Sequence, residues 1–409
     1  MKNFILLFLW SPIILQAQKG IKFEHNKTWG ELIEQAKTEN KYIFVDAFAT
    51  WCGPCKYMSA NIFTKDEVGE LYNSSFINVK MQMDTSSKDN EWVKKWYATA
   101  HDMGKKYGIA AYPTFLFFRS DGTIVHRLVG SMEADVFINK TKFLLEPENQ
   151  YYSMVDRYRN GQKDADFLKK LANAAEEAFD SEIMTQVGND YLSTQTNFLT
   201  EENLDFIFRF TNSSKDKGFS VLLNNESQIN KRQENTVATE KLIEIITREE
   251  ITPLLKRKST KVPDWKMINM LLSKKYPNQQ GEVIINGKLT YYQKTKDWIN
   301  FGVVVQQYMQ KYGQKATPAQ LNSFAWTVFE NCKDKSLIAS ALDWSRKACE
   351  TLPDPAFLDT YANLLYKSGK REDAILWEQK AMMQAGEEEK EDYNIAIEKM
   401  KKGEKTWKE

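Results

Sequence analysis

The hydrophobic rhythm of the chain changes near Glu146. Before that point short apolar runs alternate with amphipathic stretches, whereas after it apolar residues recur at spacings of three and four. In the first part, Ile21 to Glu24 predicts a short strand and Trp29 to Thr38 a helix with Thr28 as its N-cap. The run Tyr42-Ile43-Phe44-Val45-Asp46-Ala47-Phe48 predicts a buried strand interrupted by one carboxylate. Further strands are predicted over 76–81, 114–118 and 124–129, the last two joined by a hairpin turn at Asp121-Gly122. A helix from Glu133 to Leu145 completes a mixed sheet with helices on both faces.

Beyond Glu146-Pro147-Glu148-Asn149-Gln150 the spacing predicts helices over 166–179, 239–247, 265–272 and 297–312, with Pro253, Pro263, Pro277, Gly281 and Gly313 as breakers. Asn212 to Gly218 reads as a polar loop, and Asn224 to Asn235 as a polar stretch with no determined element. Small residues recur in the last ninety positions: Ala325, Ala341, Ala348 and Pro353, then Ala362, Gly369, Ala374 and Ala381. Ala341 and Ala374 lie 33 residues apart, as do Ala348 and Ala381. This resembles tetratricopeptide repeats, in which small residues let antiparallel helices approach closely. The earlier repeat is expected to have the longer inter-helix turn, around Asn331 to Ser336. Two such repeats are too few to bury their own faces, so the middle helices are expected to stack with them as degenerate pairs.

The most specific chemical signal follows the carboxylate-bearing strand: Trp51-Cys52-Gly53-Pro54-Cys55-Lys56. Only a thiolate attacks a disulfide, and a cysteine at a helix start sits among unpaired N–H groups and the positive end of the helix dipole, which favour the anion. Cys52 takes that place. Cys55, one turn on, is spaced to reach its sulfur and resolve a mixed disulfide. Gly53 permits close backbone approach, and Pro54 presets the first helical turn. The competing reading is a zinc half-site, but zinc needs about four ligands. The other cysteines, Cys332 and Cys349, lie far away without paired spacing. They fall near opposite ends of consecutive antiparallel helices, so two unpaired buried thiols are expected there.

From about Ile21 to Leu145 these residues resemble the thioredoxin superfamily, and the likeness rests on separated positions as well as the dithiol. Asp46 lies six residues before Cys52, and Lys80 sits in the strand-like run Phe76 to Met81. Tyr107-Gly108-Ile109-Ala110-Ala111-Tyr112-Pro113-Thr114 looks like the family's cis-proline loop, and Gly130 like the glycine after its last strand. The resemblance implies a thioredoxin fold and roles for these residues. Cys52 and Cys55 would be the redox pair and Asp46 a buried proton acceptor moderated by Lys80. Tyr112 and Pro113 would present backbone to a bound peptide, with Trp51 beside the sulfurs as substrate contact or structural lid. The stretch Asn61 to Leu71 looks like the periplasmic domains of membrane-linked thiol:disulfide interchange proteins. An insertion of about ten residues around Asp89 to Met103 departs from compact thioredoxins. Its Trp92, Trp96 and Tyr97 read better as the apolar stripe of a lengthened helix than as a substrate wall.

Met1-Lys2-Asn3, the apolar Phe4 to Leu15 and Leu15-Gln16-Ala17 match a cleavable export signal, which leads to an expectation of a periplasmic or otherwise exported protein. No cysteine follows the cleavage point, so a lipid anchor is not expected. Export implies that an electron donor keeps the dithiol reduced, one form being a membrane thiol:disulfide interchange protein. The chain has 56 basic and 55 acidic residues, which gives no electrostatic case for nucleic acid. Three histidines without ligand spacing give no metal site, and no cofactor is expected. The expected organisation is a signal at 1–17, a thioredoxin-like domain at 18–147, degenerate helix pairs at 148–315 and tetratricopeptide-like repeats at 316–403. Two functions fit. One is an exported thiol-disulfide oxidoreductase reducing or isomerising protein or peptide disulfides, with a partner bound on the helical array. The other is an interaction protein that uses the thioredoxin-like fold as a platform.

Overall fold

The computed structural model describes residues 20–233, 235–256 and 262–407. The expected export signal at 1–17 lies outside them. Five strands, β1 (Phe23–Glu24), β2 (Tyr42–Phe48), β3 (Phe76–Gln82), β4 (Thr114–Phe118) and β5 (Ile124–Val129), form one mixed sheet in the order β1-β3-β2-β4-β5. The β1–β3 and β2–β3 pairs are parallel, while β2–β4 and β4–β5 are antiparallel. Helix α1 (Trp29–Glu39) begins with a capping box in which the Thr28 side chain accepts from Glu31 N–H and the Glu31 carboxylate accepts from Thr28 N–H. Helices α2 (Gly53–Tyr57), α3 (Asp66–Ser75), α4 (Glu91–Lys106) and α5 (Ala134–Leu145) complete the layers.

Strand alternation sorts the two cores. Phe44, Phe115 and Phe117 pack with Tyr72 of α3 and Phe137 of α5 on one face. Ile43, Val45, Ala47, Leu116 and Phe118 pack with α1 and α4 on the other. The stretch 89–103 runs from the loop before α4 into that helix, and its aromatic stripe packs within the domain. Trp96 is buried with its indole N–H on Lys27 O at 3.2 Å, Trp92 packs edge-on against it, and Tyr97 donates to Asp89 Oδ2 at 2.6 Å.

After a 3₁₀ turn at Pro147–Asn149 the described elements are all helical. They run α6 (Tyr151–Arg159), α7 (Ala165–Glu177), α8 (Ser181–Thr194), α9 (Glu201–Phe210), α10 (Lys217–Gln233), α11 (Val237–Ile246), α12 (Thr252–Lys256), α13 (Trp265–Lys275), α14 (Gln280–Thr295) and α15 (Trp298–Tyr312). Then come α16 (Pro318–Asn331), α17 (Lys335–Thr351), α18 (Pro355–Lys367), α19 (Arg371–Gln384) and α20 (Lys390–Lys402). The chain forms two compact units. One holds the sheet domain and helices α6 to α9 through Thr211, with Asp216–Gly218, and the other holds Asn212–Lys215 and Phe219–Glu409.

Five local expectations are corrected. The polar stretch from Asn224 is helix α10 to Gln233, kinked at Asn225, because Phe219, Val221, Leu222 and Ile229 give it a buried face. The loop ends before Lys217, and a Cβ at Gly218 would lie 1.9 Å from Thr211 Oγ1, so close packing explains that glycine. Pro253 does not break the chain, since the wide π turn at Thr247–Ile251 just before it, helical in backbone at both ends, loosens the helix where the proline ring would crowd the preceding turn. Gly281 likewise lies in the first turn of α14. The inter-helix turn of the pair α16–α17 is no longer than that of α18–α19; the four extra residues between Ala325 and Ala341, relative to Ala362 and Ala374, lengthen the helices by about one turn. All of these alanines are fully buried, as close helix packing requires.

Candidate active site: a dithiol at a helix start

From the end of β2 the chain turns through Ala49-Thr50-Trp51 and places Cys52 in the N-cap position of α2, with Pro54 in the first turn. The Cys52 and Cys55 sulfurs are bonded, with Cα atoms 5.3 Å apart. The Cys55 backbone N–H donates to Cys52 Sγ at 3.1 Å, so a helix-start donor points at the sulfur that sequence reasoning selects as nucleophile. In this oxidised pair both cysteines are buried and pack with Phe48, Ala49 and Tyr112. A Cβ at Gly53 would meet no atom within 4 Å, so nothing within this chain demands a glycine there and the space is open to an incoming chain.

The loop opposite completes the surface. The Tyr112–Pro113 peptide bond is cis, and Gly130, at φ +98°, donates its N–H to Pro113 O at 2.9 Å. Trp51 is 70% exposed, and its ring stands edge-on to Tyr112 at 6.0 Å between centroids.

Beneath the dithiol, alternation along β2 puts Asp46 on the same face as Phe44, the face that Met58 and Ile62 cover just after α2. The parallel register sets Asp46 directly opposite Lys80. Lys80 Nζ donates to Asp46 Oδ2 at 2.9 Å, while Asp46 Oδ1 is buried without a hydrogen-bond partner. Burial pushes the Asp46 carboxyl above its ordinary pKa, and the charge and hydrogen bond of Lys80 oppose that rise without cancelling it. The Lys80 ammonium also lies about 5 Å from the rings of Phe23, Phe48 and Phe63.

The nine residues singled out from the sequence sit on β2 (Asp46), in the turn after it (Trp51), at the N-cap of α2 (Cys52) or within it (Gly53, Pro54, Cys55), on β3 (Lys80), or in the cis-proline loop (Tyr112, Pro113). Two others were not foreseen. Ser59, in a π turn at Met58–Ile62, accepts from Lys80 Nζ at 2.7 Å. Asp84, after β3, accepts from Thr50 N–H at 2.9 Å and from its hydroxyl, tying down the loop that leads into the dithiol. The i+4 spacing of Ser59 from Cys55 was a usable signal. Nothing local to Asp84 pointed to Thr50, 34 residues away.

Among the described residues no cluster of three or more His, Cys, Asp or Glu is placed to hold a metal ion, and no helix is long and apolar enough to cross a membrane. Cys332 and Cys349 are unpaired and buried.

A dithiol at a helix start, facing a cis-proline loop over a buried Asp46 that is paired with a partly exposed Lys80, defines a thiol-disulfide oxidoreductase. The family model of the thioredoxin-like domain matches residues 29–145. Thioredoxin H4 of Arabidopsis thaliana is 32% identical over 111 residues, which are 27% of this chain and 78% of that protein. Thioredoxin-2 of Pyricularia oryzae is 31% identical over 107 residues, and the chain spans only 52% of its length. A solution structure of a candidate disulphide-isomerase from Bacteroides thetaiotaomicron is 38% identical, covering 31% of this chain and 95% of that one, with a TM-score of 0.27. Through this domain the chain belongs to the thioredoxin-like family.

Proposed function

We propose that the protein is an exported oxidoreductase that reduces or isomerises disulfides of proteins or peptides, with the helix pairs of its second unit as a partner-binding array. The observation that carries the catalytic reading is the Cys55 N–H pointed at Cys52 Sγ from a helix start. In the reduced enzyme the Cys52 thiolate attacks one sulfur of a substrate disulfide; that S–S bond breaks, and the departing sulfur takes up a proton. A mixed disulfide remains. Cys55 then passes its proton to Asp46 and attacks Cys52 Sγ, releasing the second substrate sulfur and leaving the Cys52–Cys55 disulfide. Two electrons have moved to the substrate, so an external thiol donor must return them; a membrane thiol:disulfide interchange protein fits an exported enzyme. Pro113 and Tyr112 seat the substrate backbone, Trp51 flanks it, Gly53 and Pro54 shape the turn, and Lys80 holds Asp46.

The export reading draws on the basic start and apolar run at 1–17, and the array reading on the buried alanines that recur between α16 and α19. A Cys55→Ser chain is expected to accumulate mixed disulfides through Cys52, read by mass spectrometry of reducible adducts, and wild type to reduce insulin when supplied with dithiothreitol. Equal trapping by Cys52→Ser would overturn the assignment of the nucleophile. An inert wild type would favour the platform reading.

A further inference from the structure

We propose that Ser59 is a positioning residue of this site: its hydroxyl holds the Lys80 ammonium against Asp46 and so sets the pH at which Asp46 takes the proton of Cys55. The inference rests on the reading of Asp46 as proton acceptor given above.

Helical serines and threonines commonly donate back to the carbonyl one turn earlier, as Thr64 does to Ala60 O at 2.9 Å. Ser59 is engaged differently. Its oxygen accepts from Lys80, on a strand 21 residues away, at 2.7 Å. The π turn at Met58–Ile62, closed by Phe63 N–H on Met58 O at 2.9 Å, widens the helix where this contact is made. Lys80 therefore has two anchors, Asp46 Oδ2 and Ser59 Oγ, while its stem passes the rings of Phe23, Phe48 and Phe63. Its side chain keeps 29% of its surface exposed, so an ammonium that loses one anchor has water to turn to.

Asp46 has no second source of compensation. Its other oxygen has no hydrogen-bond partner, and its neighbour on β4, Phe115, is apolar. Other titratable groups on this face are the dithiol of α2, the phenol of Tyr42 at the far end of β2, which accepts from Gln150 at 3.2 Å, and the phenol of Tyr72 on α3, which donates to or accepts from Thr141 at 2.7 Å and stays neutral through burial. How well Lys80 is held thus governs the ease of charging Asp46. Removing the Ser59 hydroxyl lets Lys80 drift toward solvent, and Asp46 then stays protonated to a higher pH.

The reduced full-length protein treated with one equivalent of 5,5′-dithiobis(2-nitrobenzoate) reads this directly. The first 2-nitro-5-thiobenzoate released reports attack by Cys52, the second reports resolution by Cys55, and the Cys55→Ser chain gives the background from other thiols. Ser59→Ala is expected to move the pH midpoint of the second release upward by about half a unit, the order expected for part of a charge-assisted hydrogen bond. Lys80→Met should move it further in the same direction, and Ser59→Thr should restore it. A Ser59→Ala profile that superposes on wild type, or moves to lower pH, overturns the role of Ser59 alone. A wild type without any second release overturns the Cys55–Asp46 reading and this inference with it.

Discussion

At Asp46 the chain places an ionisable group out of reach of water, with one oxygen on Lys80 and the other without a hydrogen bond. Because burial raises its folded pKa above the unfolded value, its stabilising contribution is full below the ordinary carboxylate range and is lost as pH rises through the folded pKa. Asp46→Ala is therefore expected to be more stable than wild type at pH 8, by about 1–3 kcal/mol, while resolving mixed disulfides more slowly. Denaturant melts at pH 8 and pH 4 check it, and a gap that fails to close at pH 4 contradicts the electrostatic cause. The candidacy of Asp46 was legible because a single carboxylate interrupts an apolar strand six residues before Cys52. Its compensation was less so. Lys80 faces it only through the β2–β3 register, and Ser59 meets Lys80 from within a π turn that no sequence pattern announced.

Elements were legible where periodicity was unbroken, as in β2, β4 and α5, and less so where a buried face was thin or polar residues filled it, as in α10. The join between β5 and α6 had no signature at all. His126 of β5 is buried, and its Nδ1 accepts the backbone N–H of Tyr151, the first residue of α6, at 3.0 Å. Burial lowers its pKa to about 3, with Lys140 adding to the effect, so the imidazole is neutral and joins a strand to a helix that sequence reasoning assigned to a separate region. A depressed histidine contributes stability that is lost as pH falls from about 6.5, its unfolded value, toward the folded pKa. His126→Gln keeps an acceptor for Tyr151 but cannot charge. Its thermal midpoint is expected to fall less than that of wild type between pH 6.5 and pH 4, and parallel curves would refute the assignment.

On the scale of the whole molecule, the second unit carries its own buried titration. Glu378 of α19 is fully buried, with neither oxygen reached by a hydrogen-bond donor, and it faces Asp359 of α18, which accepts from Asn363 at 2.7 Å. Burial raises both carboxyls, and the charge of Asp359 raises Glu378 further, so the pair retains a proton. That stability is full at low pH and declines as pH climbs above the ordinary carboxylate range. Glu378→Gln is expected to slow amide exchange of α18 and α19 by roughly tenfold at pH 8, and to change it little at pH 5. Exchange read by mass spectrometry would contradict this if both pH values responded alike, and insulin reduction should not change. From the sequence alone come the sheet domain, the dithiol and the residues expected around it, and the helical character of the rest, because hydrophobic period and helix-start chemistry are local properties. Which polar groups meet across the sheet, which carboxyls share a proton and where the chain divides into units depend on register and burial, which exist only once distant segments pack.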